Sequence, residues 1–135
     1  MQDLSCREII GYSVGANKTA QLVHRAFASL KVNLQDIGIF HTDRGLEFTN
    51  NTIDELLTTF DIKRSLSRPG TPYDNAVAES TFKIIKTEFV GKHKFKTIQE
   101  LETNLFDYIN WFNNKRIHRT LGMISPVDFK SEYSI

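Results

Sequence analysis

Apolar positions recur along the chain with two different spacings, and the switches between them mark out its elements. Residues 7–14 carry the β-branched, apolar character of a strand, and the turn Gly15-Ala16-Asn17 leads into a helix over residues 18–30. The run Ile37-Gly38-Ile39-Phe40 opens a buried strand over residues 37–42. Asn50 or Asn51 can cap a helix running through Phe60, with Ile53, Leu56, Leu57 and Phe60 turned inward. Residues 62–67 read as a third, more polar strand, followed by a Pro- and Gly-rich loop over residues 68–74. In residues 75–89, Ala78, Phe82, Ile85 and Phe89 fall on one helical face. Thr97-Ile98-Gln99-Glu100 is a capping box that opens a long helix, with Ile98, Leu101, Leu105, Tyr108, Ile109 and Phe112 inward. Strands that alternate with helices predict an α/β fold.

Composition narrows this only slightly. With 135 residues, 40% hydrophobic and 24% charged, the chain has enough material for one core, and residues 1–135 are expected to form a single domain. One cysteine permits neither an internal disulfide nor a cysteine-rich zinc site. No apolar stretch reaches membrane length and the start has no signal-peptide pattern, so the expected compartment is the cytoplasm, with no membrane partner.

The net charge of +1 hides an asymmetry. Residues 1–62 hold five bases against eight acids, whereas residues 63–135 hold twelve against eight. The basic excess concentrates between Lys63 and Lys96, where eight bases meet three acids, a distribution suited to polyanionic phosphates.

Two carboxylates stand out within this frame. Asp43 follows the strand over residues 37–42, at the end where α/β sheets place ligands, and Glu79 lies on the predicted helix 35 intervening residues later. Brought together, they would supply hard oxygen ligands to a divalent metal used in phosphoryl chemistry. Lys83 and Lys86, four and seven residues beyond Glu79, share its helical face. His41 reads as a hydrogen-bonded strand-end histidine, Asn75 as the cap of the Glu79 helix, and Trp111, with Tyr108 and Phe112, as core.

The segment His41-Thr42-Asp43-Arg44-Gly45 and the segment from Ser67-Arg68-Pro69-Gly70 through Asn75-Ala76-Val77-Ala78-Glu79-Ser80 resemble the catalytic core of insertion-sequence transposases of the OrfB kind, itself similar to retroviral integrases. The likeness extends from Asp3-Leu4-Ser5-Cys6-Arg7 to Trp111-Phe112-Asn113-Asn114-Lys115-Arg116 and Ser125-Pro126. The resemblance implies a ribonuclease-H-like fold over about residues 1–90, with a carboxyl-terminal helix and tail over residues 97–135. It also implies an incomplete fold that begins at the third strand and lacks the first two, and with them the first aspartate of the family's triad; Asp3 matches a non-catalytic position. The implied function is that of a fragment of a transposase or integrase catalytic core, which cuts DNA and joins strands in transposition. Asp43 and Glu79 would be its catalytic and metal-binding residues, and Lys83, Lys86, Arg68 and Asn75 its DNA contacts. The cofactor would be Mg²⁺ or Mn²⁺, with two ions in the intact enzyme. Transposon-end and target DNA, and a further copy or a full-length transposase, would be its partners, and the nucleoid its place of work. The alternatives are an inactive remnant that binds DNA or full-length transposase, and a metal-dependent nuclease of the ribonuclease-H type. Arg116, His118 and Arg119 match the family's carboxyl-terminal motif, where the resemblance assigns packing or subunit contact rather than catalysis.

Overall fold

The computed structural model describes residues 1–71 and 75–133, and in it the chain falls into two compact units. One comprises Gly11–Phe82, and the other Met1–Ile10 together with Lys83–Ile135.

In the unit Gly11–Phe82, helix α1 (Ala20–Ala28) begins where the Thr19 hydroxyl accepts the Leu22 N–H at 3.3 Å, and it buries Val23, Ala26 and Phe27. Strand β1 (Ile39–Thr42) pairs in parallel with β2 (Lys63–Leu66), with Ile39 opposite Lys63 and Thr42 opposite Leu66. Parallel strands need a crossover. It is supplied by α2 (Asn51–Thr59), whose cap Asn50 accepts the Ile53 N–H at 3.1 Å and whose Ile53, Leu56 and Leu57 are buried. Phe40 meets Phe27 edge-on at 4.8 Å, so one face of the sheet packs on α1. Arg64 of β2 reaches Asp54 of α2 at 2.7 Å. Helix α2 ends in a Schellman turn: the Ile62 N–H reaches the Leu57 carbonyl at 2.8 Å and the Asp61 N–H that of Thr58 at 3.2 Å. Asp61, at φ 53°, takes the left-handed position usually filled by glycine.

Helix α3 (Ala76–Glu88) begins in this unit and continues into the other. There it is followed by a 3-10 turn (Val90–Lys92), helix α4 (Ile98–Asn114), a second 3-10 turn (Arg119–Leu121) and helix α5 (Pro126–Glu132). The Thr97 hydroxyl accepts the Glu100 N–H at 3.0 Å, while Glu100 reaches back to the Lys96 N–H at 3.0 Å. Phe112 is fully buried and Phe89 almost so.

Besides the strand over residues 37–42, which is expected to be buried but spans Ile39–Thr42 with Ile39 64% exposed, three sequence expectations require correction. Residues 7–14 form no strand. Arg7 sits at φ 69°, which breaks an extended run, and the backbone groups that a ladder would use are taken elsewhere. Ile9 donates to and accepts from the Asn113 side chain at 2.8 and 2.9 Å, Ile10 N–H reaches the Met1 carbonyl at 3.0 Å, and Tyr12 N–H reaches the Ser29 hydroxyl at 2.9 Å. Only an isolated antiparallel bridge, Gln2 to Ile9, remains of strand-like pairing there. Second, Phe82 is 62% exposed although it lies on nearly the same helical face as buried Phe89. The two halves of α3 belong to different units and do not share one buried stripe. Third, Ile98 and Trp111 are 49% and 44% exposed, so the inner face of α4 is narrower than its apolar pattern and centres on Ile109, Phe112 and Asn113.

Candidate active site

Asp43 lies just beyond β1, in a turn held from both sides. Its Oδ1 accepts the Gly45 N–H at 2.8 Å, the Gly45 carbonyl accepts the N–H groups of Phe48 and Thr49 at 3.0 and 3.1 Å, and Arg44 Nε donates to the Ser67 carbonyl at 3.0 Å. An aspartate that closes a turn through one oxygen keeps its other oxygen for a ligand. The Asp43 side chain is exposed. A Cβ at Gly45 would stand 2.5 and 2.6 Å from the Glu47 carboxylate oxygens, so that flexible side chain would have to swing aside.

His41 bridges the sheet, with Nδ1 2.8 Å from the Ser65 hydroxyl and Nε2 3.1 Å from that of Ser67. Both ring nitrogens are therefore occupied, as expected of a structural strand-end histidine. Glu79 stands exposed in the first turn of α3, where the helix dipole favours negative charge. Asp43 and Glu79 belong to the same unit. Lys83 and Lys86 follow Glu79 along one exposed face of α3. Arg68 is exposed in a turn closed by the Thr71 N–H and hydroxyl on its carbonyl, at 3.2 and 2.6 Å. Asn75 stands immediately before Ala76, and residues 72–74 of the preceding loop lie outside the described residues. Asp3 spends its Oδ1 on the Ser5 N–H at 2.9 Å, the closure of its own turn. Among the described residues, no group of three or more His, Cys, Asp or Glu side chains is placed to hold a metal ion.

A polar cluster of Glu88 with Tyr108 and Arg116 occupies the other unit. Arg116 Nε and Nη2 grip Glu88 at 2.9 and 2.6 Å, and the Tyr108 hydroxyl donates to the same carboxylate at 2.7 Å. The Arg116 bonds hold the Glu88 carboxyl below its ordinary range, while burial and the Glu88 bond push the Tyr108 hydroxyl up. Burial lowers His118 first, and the nearby positive charges of Arg116 and Arg7 lower it further. His118 packs edge-on against Phe112 at 4.8 Å. Its Nδ1 lies 3.4 Å from Arg116 Nη1, which can only donate, and its Nε2 is buried with no hydrogen-bond partner among the described residues. Within this unit, Arg116 and His118 of the carboxyl-terminal motif thus pack against Glu88 and Phe112.

Comparison with known proteins bears on this geometry directly. Residues 1–72 and 79–133 match two descriptions of one family, each an integrase core domain, and the first covers more than half of the chain. The chain belongs to the integrase core domain family. It is 36% identical over 131 residues to the transposase for insertion sequence element IS904 of Lactococcus lactis, covering 95% of this chain and 52% of that protein. It is 29% identical over 133 residues to an uncharacterized transposase-like protein of Haemophilus influenzae, covering 98% of this chain and 62% of the relative. This integrase core chain spans about half the length of the curated relatives it matches. The catalytic core domain of BIV integrase superposes with a TM-score of 0.63 at 22% identity, over 90% of this chain and 78% of that one. The fold is thus the ribonuclease-H-like fold of integrase cores, and its sheet holds two parallel strands among the described residues. No helix among the described residues is long and apolar enough to cross a membrane.

Proposed function

We propose that this chain is part of a DNA transposase catalytic core in which Asp43 and Glu79 hold a divalent cation, Mg²⁺ or Mn²⁺, against a DNA phosphate. The observation that carries the reading is the placement of the two acids within an integrase core domain: Asp43 just past β1 with one oxygen unspent, and Glu79 in the first turn of α3. Two carboxylates with open lone pairs suit Mg²⁺, which takes few protein ligands and fills its remaining positions with water and substrate phosphate. When bound, the metal would polarise the scissile phosphate and stabilise charge on the attacking and leaving oxygens. The chain's own residues do the positioning. The turn at Gly45 fixes the angle of Asp43, and Lys83 and Lys86 extend the Glu79 face with positive charge for the flanking phosphates. Arg68, and Asn75 just before α3, would be further DNA contacts, and the nucleoid would be the chain's place of work.

A second reading is favoured by the lack, among the described residues, of a set of three metal-ligating side chains. On it, the chain keeps DNA or transposase binding without turnover. A further copy of the chain, or full-length transposase, would then dock on the free edge of β1. The carbonyls of Gly38 and Thr42 accept from Lys63 and Ser67 at 2.9 Å each, so alternation turns the backbone groups of Ile39 and His41 to the opposite side. Among the described residues no backbone hydrogen bond reaches them there.

The expected outcome in an assay of 3′-end processing and strand transfer with Mg²⁺ or Mn²⁺ is no product above an Asp43→Asn control, because two carboxylates leave the metals poorly placed. Robust turnover abolished by Asp43→Asn would show that another acid completes the site and would exclude the second reading.

A further inference from the structure

The connector between α3 and α4, residues 90–96, runs Val90-Gly91-Lys92-His93-Lys94-Phe95-Lys96, with bases alternating with rings. Its acidic neighbours are already engaged: Glu88 by Arg116 and Tyr108, and Glu100 by the Lys96 N–H. Lys92, Lys94 and Lys96 are exposed, and none of them joins an ion pair among the described residues. The connector therefore presents three exposed lysines, none of them ion-paired among the described residues, within five residues.

Its rings are held rigidly. His93 is exposed, yet its Nδ1 donates to the Phe89 carbonyl at 2.7 Å and its ring lies 5.2 Å from Phe89 and 5.8 Å from Phe95, nearly parallel to the latter at 14°. Phe95 stacks on buried Phe89 at 5.2 Å, and Phe89 continues through Tyr108, at 5.1 Å, to half-exposed Trp111, 5.7 Å further on. An exposed ring on a loop is normally free to rotate. This one is anchored through a backbone hydrogen bond to an aromatic core, the preorganisation that lowers the entropic cost of stacking a planar ligand.

We propose that the α3–α4 connector is a contact for an unpaired DNA strand, with Lys92, Lys94 and Lys96 on the phosphates and a base stacked on His93. Bases inside a duplex have no free face, so a stacking ring flanked by lysines suits a single strand. The inference rests on the DNA reading above but adds a site distinct from the Asp43 and Glu79 neighbourhood, with its own ligand chemistry.

The test is fluorescence anisotropy of the full chain with a labelled single-stranded oligonucleotide and with the corresponding duplex, over a range of salt concentrations. The variants are the triple replacement Lys92→Gln/Lys94→Gln/Lys96→Gln, His93→Ala, and, as a reference for the DNA reading, Lys83→Gln, with circular dichroism confirming that each remains folded. The triple variant is expected to weaken single-strand binding about tenfold to a hundredfold near 0.1 M salt and to reduce the salt slope by about 2. His93→Ala is expected to weaken single-strand binding about fivefold or more, to leave the salt slope unchanged and to leave duplex binding nearly untouched. If Lys83→Gln weakens binding while the triple variant does not, the connector is overturned and the DNA reading stands. Equal losses on both DNAs with His93→Ala silent overturn the single-strand assignment in favour of a duplex-backbone contact. Failure of the unaltered chain to bind either DNA overturns both readings.

Discussion

Asn113→Ala is expected to lower the stability of the unit formed by Met1–Ile10 and Lys83–Ile135 by about 3 kcal/mol, because it leaves two buried backbone groups unpaired. The Asn113 amide is almost fully buried on α4. Its Oδ1 accepts the Ile9 N–H at 2.8 Å and its Nδ2 donates to the Ile9 carbonyl at 2.9 Å, so one side chain stands in for the partner strand that Ile9 does not have. Removing it strands the backbone donor and acceptor of buried Ile9. Asn113→Asp keeps the size and one acceptor but loses the donor to Ile9. It is therefore expected to cost at least as much, since a charge is also buried. Urea unfolding followed by circular dichroism checks both. A loss below about 0.5 kcal/mol for Asn113→Ala, the range of ordinary surface substitutions, would mean that the Ile9 segment is not held by this amide.

The second large effect concerns the free edge of β1. The unaltered chain is expected to self-associate as its concentration rises, and Ile39→Lys to restore a monomer. Residues 37–42 contain no acidic or basic side chain apart from His41, whose two ring nitrogens are already bonded, and Ile39 is 64% exposed. An uncharged edge with unpaired backbone groups is a template for another strand, and a lysine on it is the usual protection. Exposure of Ile39 means that the substitution removes little burial, so a change in mass reports on the edge and not on unfolding. Light scattering at increasing protein concentration decides the matter. A mass that stays monomeric for the unaltered chain would show that the edge is closed in solution.

Much of this architecture was legible because it is locally encoded. Asn50 and Thr97 are caps by residue type and spacing, and the alternation around β1, α2 and β2 needs no distant partner to be recognised. Residues 7–14 misled because β-branched character records burial as much as pairing: Ile9 is buried, but its hydrogen bonds go to a side chain 104 residues away. Phe82 misled because a single helix serves two units. Helix α5 carried a readable signal in Ser125-Pro126-Val127-Asp128, where the Ser125 hydroxyl accepts the Asp128 N–H at 3.2 Å and proline occupies the first turn. Its seven residues were too short for a periodic pattern. The Glu88, Tyr108 and Arg116 cluster could not be read, since residues 20 and 28 positions apart give no local sign of contact. For the candidate site, the chain's order gave the identities of Asp43 and Glu79, whereas the engagement of only one Asp43 oxygen by Gly45 is a feature of the turn's geometry.

The central claim, that Asp43 and Glu79 hold one metal together, is tested most directly by Mn²⁺ titration monitored by amide nuclear magnetic resonance. Paramagnetic broadening is expected to appear together at Gly45 and Ser80, the neighbours of the two acids, and to vanish at both positions in either Asp43→Asn or Glu79→Gln. Broadening confined to one of the two neighbourhoods, or persisting at one after the other acid is removed, would contradict a shared site.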